Sequence, residues 1–198
     1  MKDKEVKMQE KNGTEGKAEQ RRFVLWKRDR LSLEKRERDS QSICERILST
    51  DIYRKAETIF LFNAFGSEVD LSAFGEKARS EGKRLLYPFC LDREHMLALE
   101  PGGTWETDRF GIRVPALSDS VEADPAGIDL ILCPCAGFDD SGRRLGMGGG
   151  YYDRFFLKCP QAFRLLVAFE AQRLEYVITE SQDIPMDGII TEERIRFL

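Results

Sequence analysis

A chain of 198 residues falls within the size range of a single domain and is long enough to bury a sizeable core. With 41% hydrophobic and 33% charged residues it fits neither a disordered nor a membrane protein, and a formal net charge of −4 argues against a nucleic-acid partner. Five cysteines, an odd number with no CxxC pair, and one histidine (His95) read as reduced thiols in a cytoplasmic protein and argue against a thiolate or histidine zinc site.

In chain order, residues 1–16 mix Lys, Glu, Gly and Gln without periodicity and are expected to form a disordered charged extension. The first twenty residues contain no apolar run, so neither a signal peptide nor a membrane anchor is expected there. From Ala18, QRRFVLWKRDRL spaces Phe23, Trp26 and Arg30 three to four apart, as a helix does. Residues 21–38 hold eight basic and three acidic side chains, a run that ordinarily means a solvated helical face. Ser32 can cap a second helix, on which Ile43 and Ile47 share a face.

The period then changes. TIFLF (58–62) is a buried strand candidate, and LSAFGEKARSEG (71–82) spaces Leu71, Phe74 and Ala78 as a helical stripe that ends at Gly82. RLLYPF (84–89) predicts a strand ended by Pro88, and MLALE (96–100) a third in a more exposed position. IDLILCPC (128–135) is the most apolar strand candidate, in which Cys133 and Cys135 suit core packing better than redox chemistry. GGYYDRFFLK predicts a helix, FRLLVAFE (163–170) a strand and DGIIT (187–191) a last short strand. Strands alternating with helices predict one α/β domain over residues 17–198, a three-layer α/β/α arrangement around a mostly parallel sheet.

The stretch RRLGMGGGYYDRFF (143–156) packs four glycines into positions 146–150. Each glycine costs conformational entropy when fixed, so the cluster needs either turns open to glycine alone or a ligand that requires bare backbone. Between a buried strand and a helix, such a loop exposes N–H groups that favour anions, and Arg143 and Arg144 add donors suited to phosphate oxygens. It fits neither GxxxxGK[ST] nor GxGxxG, and a tight structural turn is the alternative meaning. Asp153 is either a first-turn carboxylate answering the helix dipole or, near bound phosphates, an oxygen ligand for Mg2+.

At this point the residues carry a resemblance. LILCPCAGFDDSGRRLGMGGGYYDRFF resembles the signature of the 5-formyltetrahydrofolate cyclo-ligase (methenyltetrahydrofolate synthetase) family: a buried strand, a proline, an aromatic–Asp pair, then Arg-Leu-Gly-x-Gly-x-Gly-[Tyr/Phe]-Tyr-Asp. Lys17 and Arg21 reproduce the family's Lys-x-x-x-Arg ahead of Leu31 and Ser32. FNAFGSEVD, centred on Glu68, is similar to its acidic substrate motif, GKRLLYP to its second strand, and IPMDGIIT to its C-terminal segment with Asp187. The likeness runs from about Lys17 to Thr191. Two departures stand out: GIRVP has Val114 where the family often has Glu, and the charged extension before Lys17 is longer than in bacterial members.

The resemblance implies an ATP- and Mg2+-dependent cyclisation of 5-formyltetrahydrofolate to 5,10-methenyltetrahydrofolate, through a phosphorylated formyl group and with release of ADP and phosphate. It implies that ATP is held by Lys17, Arg21, Arg144, Leu145, Gly146, Met147, Gly148, Gly149, Gly150, Tyr151 and Tyr152, with catalytic roles for Lys17, Arg144 and Tyr151. Asn63 and Glu68 would contact the folate, Glu68 accepting from pterin N–H groups. Met147, Gly148, Gly149, Gly150 and Tyr151 would lie against the folate and the transferring phosphoryl group. Asp153 and Asp187 would position Mg2+, and a cytoplasmic monomer with no membrane partner is expected. Two other classes stay open: a non-catalytic nucleotide- or RNA-binding module using the basic helix, and an enzyme of sugar phosphates or coenzyme A thioesters.

Overall fold

The computed structural model describes residues 13–198. In chain order these form α1 (Gly13–Asp29), α2 (Leu33–Leu48), α3 (Asp51–Lys55), β1 (Thr58–Phe60), α4 (Ser72–Ser80), β2 (Arg84–Cys90), β3 (Met96–Glu100), β4 (Trp105–Thr107), β5 (Arg113–Pro115) and β6 (Val121–Glu122). There follow β7 (Leu130–Cys133), β8 (Gly137–Phe138), β9 (Arg144–Leu145), α5 (Tyr151–Phe156), β10 (Phe163–Val167), β11 (Gly188–Ile190) and β12 (Ile195–Phe197). The main sheet has the order β12-β11-β10-β7-β1-β2-β3-β6. The five strands from β11 to β2 pair in parallel, and antiparallel β12 on one edge and β3 and β6 on the other complete it. β7 is buried at all four positions because parallel neighbours flank it on both sides.

The pleat divides the core into two layers. Ile59, Leu130, Leu132 and Leu165 point to the side covered by Ile43 and Ile47 of α2 and Phe74 and Ala78 of α4. Phe60, Ile131, Cys133 and Leu166 point to the other, covered by Phe155 and Phe156 of α5. The three-layer α/β/α architecture expected from the alternation of elements is therefore the one observed, and Ser32 caps α2 as expected by accepting from Lys35 N. α1 is covered elsewhere. Its Val24 packs with Ala136, Leu145, Leu174 and Val177, among the segments that leave the carboxyl ends of the strands.

Four expectations change. Residues 13–16, expected to be disordered, are helical, because a segment preceding an anchored helix gains a backbone bond for each residue it adds; residues 1–12 lie outside the described residues. Pro88 does not end its strand: β2 runs on to Cys90, and Pro88 lies beyond the last β1 pairing, Phe60 with Leu86, where its missing N–H removes no parallel ladder bond. MLALE is less exposed than its composition suggests, with Met96, Ala98 and Leu99 buried. α5 is six residues long and stops at Phe156, short of the run expected from GGYYDRFFLK. The β4–β5 and β8–β9 hairpins are too short for a periodic signal to announce them.

Candidate active site

The glycine run begins where β9 ends and finishes where α5 begins. Gly148 has φ +99° and Gly150, which caps α5, has φ +66°, conformations that a side chain strains. The β8–β9 hairpin that presents the loop is fixed by Asp139, buried, which accepts from Ser141 N, Ser141 Oγ and Val177 N. From the far side Arg154 donates to Gly149 O at 2.8 Å and to Glu94 O at 2.9 Å, and Tyr151 Oη donates to Asp92 O at 2.7 Å. The loop is thereby tied to the turn between β2 and β3. Asp92 shapes that turn by accepting from the N–H groups of Glu94 and His95.

Beneath the loop lies a largely covered cluster of charge. Arg144, in β9, donates from Nη2 to Asp153 Oδ2 at 2.8 Å, with its guanidinium over the rings of Tyr152 and Phe156. Its Nε is buried without a hydrogen-bond partner among the described residues. The other oxygen of Asp153 accepts from Ile184 N at 3.2 Å. A second pair, in which Arg28 Nη1 lies 3.7 Å from Glu68 Oε1, acts electrostatically on the cysteines at the end of β7. Glu68 Oε2 accepts from Phe65 N at 3.0 Å, and burial pushes its carboxyl up against the opposing pull of that N–H and of Arg28. Burial pushes the Cys133 thiol up to about 12, raises Cys135 as well, and holds the Tyr152 phenol well above its ordinary value. All three therefore stay protonated near neutrality, and the five cysteines are free thiols.

The remaining sequence-derived candidates are placed as follows. Arg21 Nε donates to Gly146 O at 2.8 Å, joining α1 to the glycine loop. Lys17, one turn earlier, is held by Asp183 at 2.6 Å and Glu180 at 3.3 Å. Leu145 is buried, Met147 is exposed at the tip of the loop, and the Tyr151 hydroxyl also accepts from Arg109 at 3.1 Å. Asn63 Nδ2 donates to Arg113 O at 2.6 Å. Val114 is buried in β5, so that position presents no exposed side chain to a ligand. Asp187 stands at the amino end of β11, where Arg164 Nε and Nη2 grip its two oxygens at 2.7 and 2.6 Å. Asp153 and Asp187 thus have separate arginine partners, and among the described residues no three His, Cys, Asp or Glu side chains converge as a metal cage.

Arg28, Arg154 and Arg109 were not singled out by sequence reasoning. Arg28 had a usable signal, since Lys17, Arg21, Val24 and Arg28 recur on one face of α1. The basic run 21–38 is also less free than its composition implies: Arg21, Lys27, Arg28, Lys35 and Arg36 all donate to groups of the same chain.

The model of the 5-formyltetrahydrofolate cyclo-ligase family matches residues 13–192. A mouse protein named 5-formyltetrahydrofolate cyclo-ligase is 28% identical over 182 residues, 82% of this chain and 87% of the relative. The Escherichia coli K12 protein of the same name is 28% identical over 180 residues, 87% of this chain and 98% of its own. Among solved structures, the Aquifex aeolicus 5,10-methenyltetrahydrofolate synthetase superposes with a TM-score of 0.80 at 30% identity, covering 91% of this chain and 92% of that one.

Proposed function

The chain belongs to the 5-formyltetrahydrofolate cyclo-ligase family, and on that premise we propose that it closes 5-formyltetrahydrofolate to 5,10-methenyltetrahydrofolate, with ATP as co-substrate and Mg2+ as its metal, as a cytoplasmic monomer. The observation that carries this reading is the Arg144–Asp153 pair, largely covered beneath a glycine loop, with the Glu68–Arg28 pair acting on the cysteines at the end of β7. A formamide carbon is a poor electrophile, and its oxygen is a poor leaving group. Transfer of the γ-phosphoryl group to that oxygen gives an imidate-like phosphate. N10 then bonds to the formyl carbon and gives up its proton, and the C–O bond breaks to release phosphate carrying the formyl oxygen. Such a sequence asks for positioning and charge stabilisation rather than a protein nucleophile. The protonated state of Cys133 and Cys135 agrees with that demand.

In this reading Arg21, Arg144 and the bare N–H groups of 146–150 hold the phosphates, with Leu145 and Tyr152 as the floor. Lys17 reaches them by exchanging Asp183 for phosphate. Tyr151 and Met147 flank the reacting groups, and Asn63 and Glu68 hold the folate. Mg2+, when bound, neutralises phosphate charge. Asp153, an oxygen donor beside the phosphate loop, would take it by yielding part of its bond to Arg144, and Asp187 would join only by releasing Arg164. The test is purified protein with 5-formyltetrahydrofolate, Mg2+ and ATP, followed by the methenyl chromophore and by ADP release. Product formation with ADP release that depends on the folate is expected. ADP release that ignores the folate, or ring closure without ATP, overturns the reading.

A further inference from the structure

Arg28 is a cation with only 5% of its surface exposed, and a buried cation is tolerated only where its surroundings answer its charge. Its Nε donates to Ser67 Oγ at 2.9 Å, and the same hydroxyl donates to the Asp29 carboxylate, which fixes the direction of the guanidinium. Nη1 is buried, makes no hydrogen bond among the described residues, and faces Glu68 Oε1 across 3.7 Å. Glu68 is thus held from two sides: the Phe65 N–H anchors one oxygen, and Arg28 faces the other. Asp29 Oδ1 also lies 3.9 Å from Arg28 Nε, and the remaining ionisable groups that act on this corner, Cys133 and Cys135 at the end of β7 and Tyr152 of α5, are kept neutral by burial. Arg28 is therefore the cation that answers Glu68. Arg144 serves Asp153 in the same way on the phosphate side.

We propose that Arg28 is a positioning residue for the folate half of the reaction, fixing the Glu68 carboxylate as an acceptor for the substrate's N–H donors. The inference rests on the reading of Glu68 as the folate-binding carboxylate. It also gives α1 a second duty. Arg21 ties the helix to the glycine loop and Arg28 ties it to Glu68, so one rigid element sets the spacing between the ATP side and the folate side.

The test compares the intact wild-type protein with Arg28→Leu, Arg28→Lys and Ser67→Ala, measuring KM for each substrate and the pH profile of kcat/KM for the folate. Arg28→Leu is expected to raise the folate KM about tenfold while the ATP KM stays within about twofold. It is also expected to move the acid limb of the profile to higher pH, because Glu68 without its cation takes up a proton sooner as the pH falls. Arg28→Lys keeps the charge and is expected to restore the limb. Ser67→Ala, which frees the guanidinium, is expected to shift both readouts the same way by a smaller factor. If circular dichroism finds Arg28→Leu unfolded, Ser67→Ala and Arg28→Lys decide alone. An unmoved limb in folded variants, or equal rises in both KM values, overturns the role of Arg28 and leaves the ring-closing function standing. Wild-type protein that forms no methenyl product overturns that function, and this inference with it.

Discussion

At the amino ends of the central strands, Asp129 accepts from the N–H groups of Glu57 and Thr58, and Asp187 accepts three bonds from Arg164. Toward the carboxyl end of β7, by contrast, Arg28 Nη1 and Arg144 Nε are buried with no hydrogen-bond partner among the described residues, and Glu68 meets Arg28 only at ion-pair distance. Both ends carry charge, but one is saturated and the other is not. Unpaired buried donors cost stability, about 1–3 kcal/mol each when nothing satisfies them. Such a cost is compatible with a site whose missing partners arrive with a ligand: phosphate oxygens suit Arg144, whereas Arg28 answers Glu68. The difference teaches that charge alone does not distinguish the two ends of this sheet; how completely the charges are paired does.

The contrast can be broken most sharply at the loop. Gly149→Val introduces a Cβ 2.8 Å from the Tyr151 ring, so ring closure is expected to fall about a hundredfold or more through misplacement of the reacting groups. The melting temperature should drop only modestly. If that variant stays folded and turns over normally, the glycines serve only a turn. Asp153→Asn is next. Turnover should fall about thirtyfold, the factor given by ~2 kcal/mol of lost charge-assisted contact. Because Asp153 answers a buried arginine, it should also lose about 3 kcal/mol in urea unfolding, more than a first-turn carboxylate contributes through the dipole. Undiminished stability would show that Arg144 does not depend on this partner.

Asp187→Asn sharpens the comparison from the saturated end. Its pair with Arg164 is partly exposed, so the stability cost should be about 1 kcal/mol. Turnover should fall about tenfold with a raised Mg2+ requirement if the carboxylate exchanges Arg164 for the metal. Turnover within twofold of wild type would leave Asp187 a purely structural pair and make the two ends fully distinct. The smallest effect belongs to Cys133. With its thiol pushed up to about 12, native protein should remain unmodified by iodoacetamide at pH 8, as read by mass spectrometry. Rapid alkylation there would mean that the carboxyl end opens to solvent.

Much of this was legible in the residues. The buried strands, the helix capped by Ser32, the α/β/α layering and the glycine loop follow from apolar period, capping chemistry and composition, all local properties of a few neighbouring residues. The hairpins were not legible, because two- and three-residue strands are too short to show a period. Nor was the end of β2. Proline reads locally as a stop, and only the sheet shows that no parallel neighbour remains there to miss its N–H.

The sequence by itself determined the class of fold and the residue types able to hold phosphate and an N–H-rich substrate, since period, glycine content and side-chain chemistry travel with the chain. Which charges meet was decided by tertiary structure alone. Arg28 and Glu68 are forty residues apart, and Lys17 and Asp183 are 166 apart. No local pattern encodes such pairs, because their separation is set by how α1 lies across the strand ends. Asp153 and Asp187 looked alike as isolated carboxylates; folding gave one a buried arginine beneath the loop and the other a partly exposed arginine at the amino end of β11, each arginine lying over the Phe156 ring.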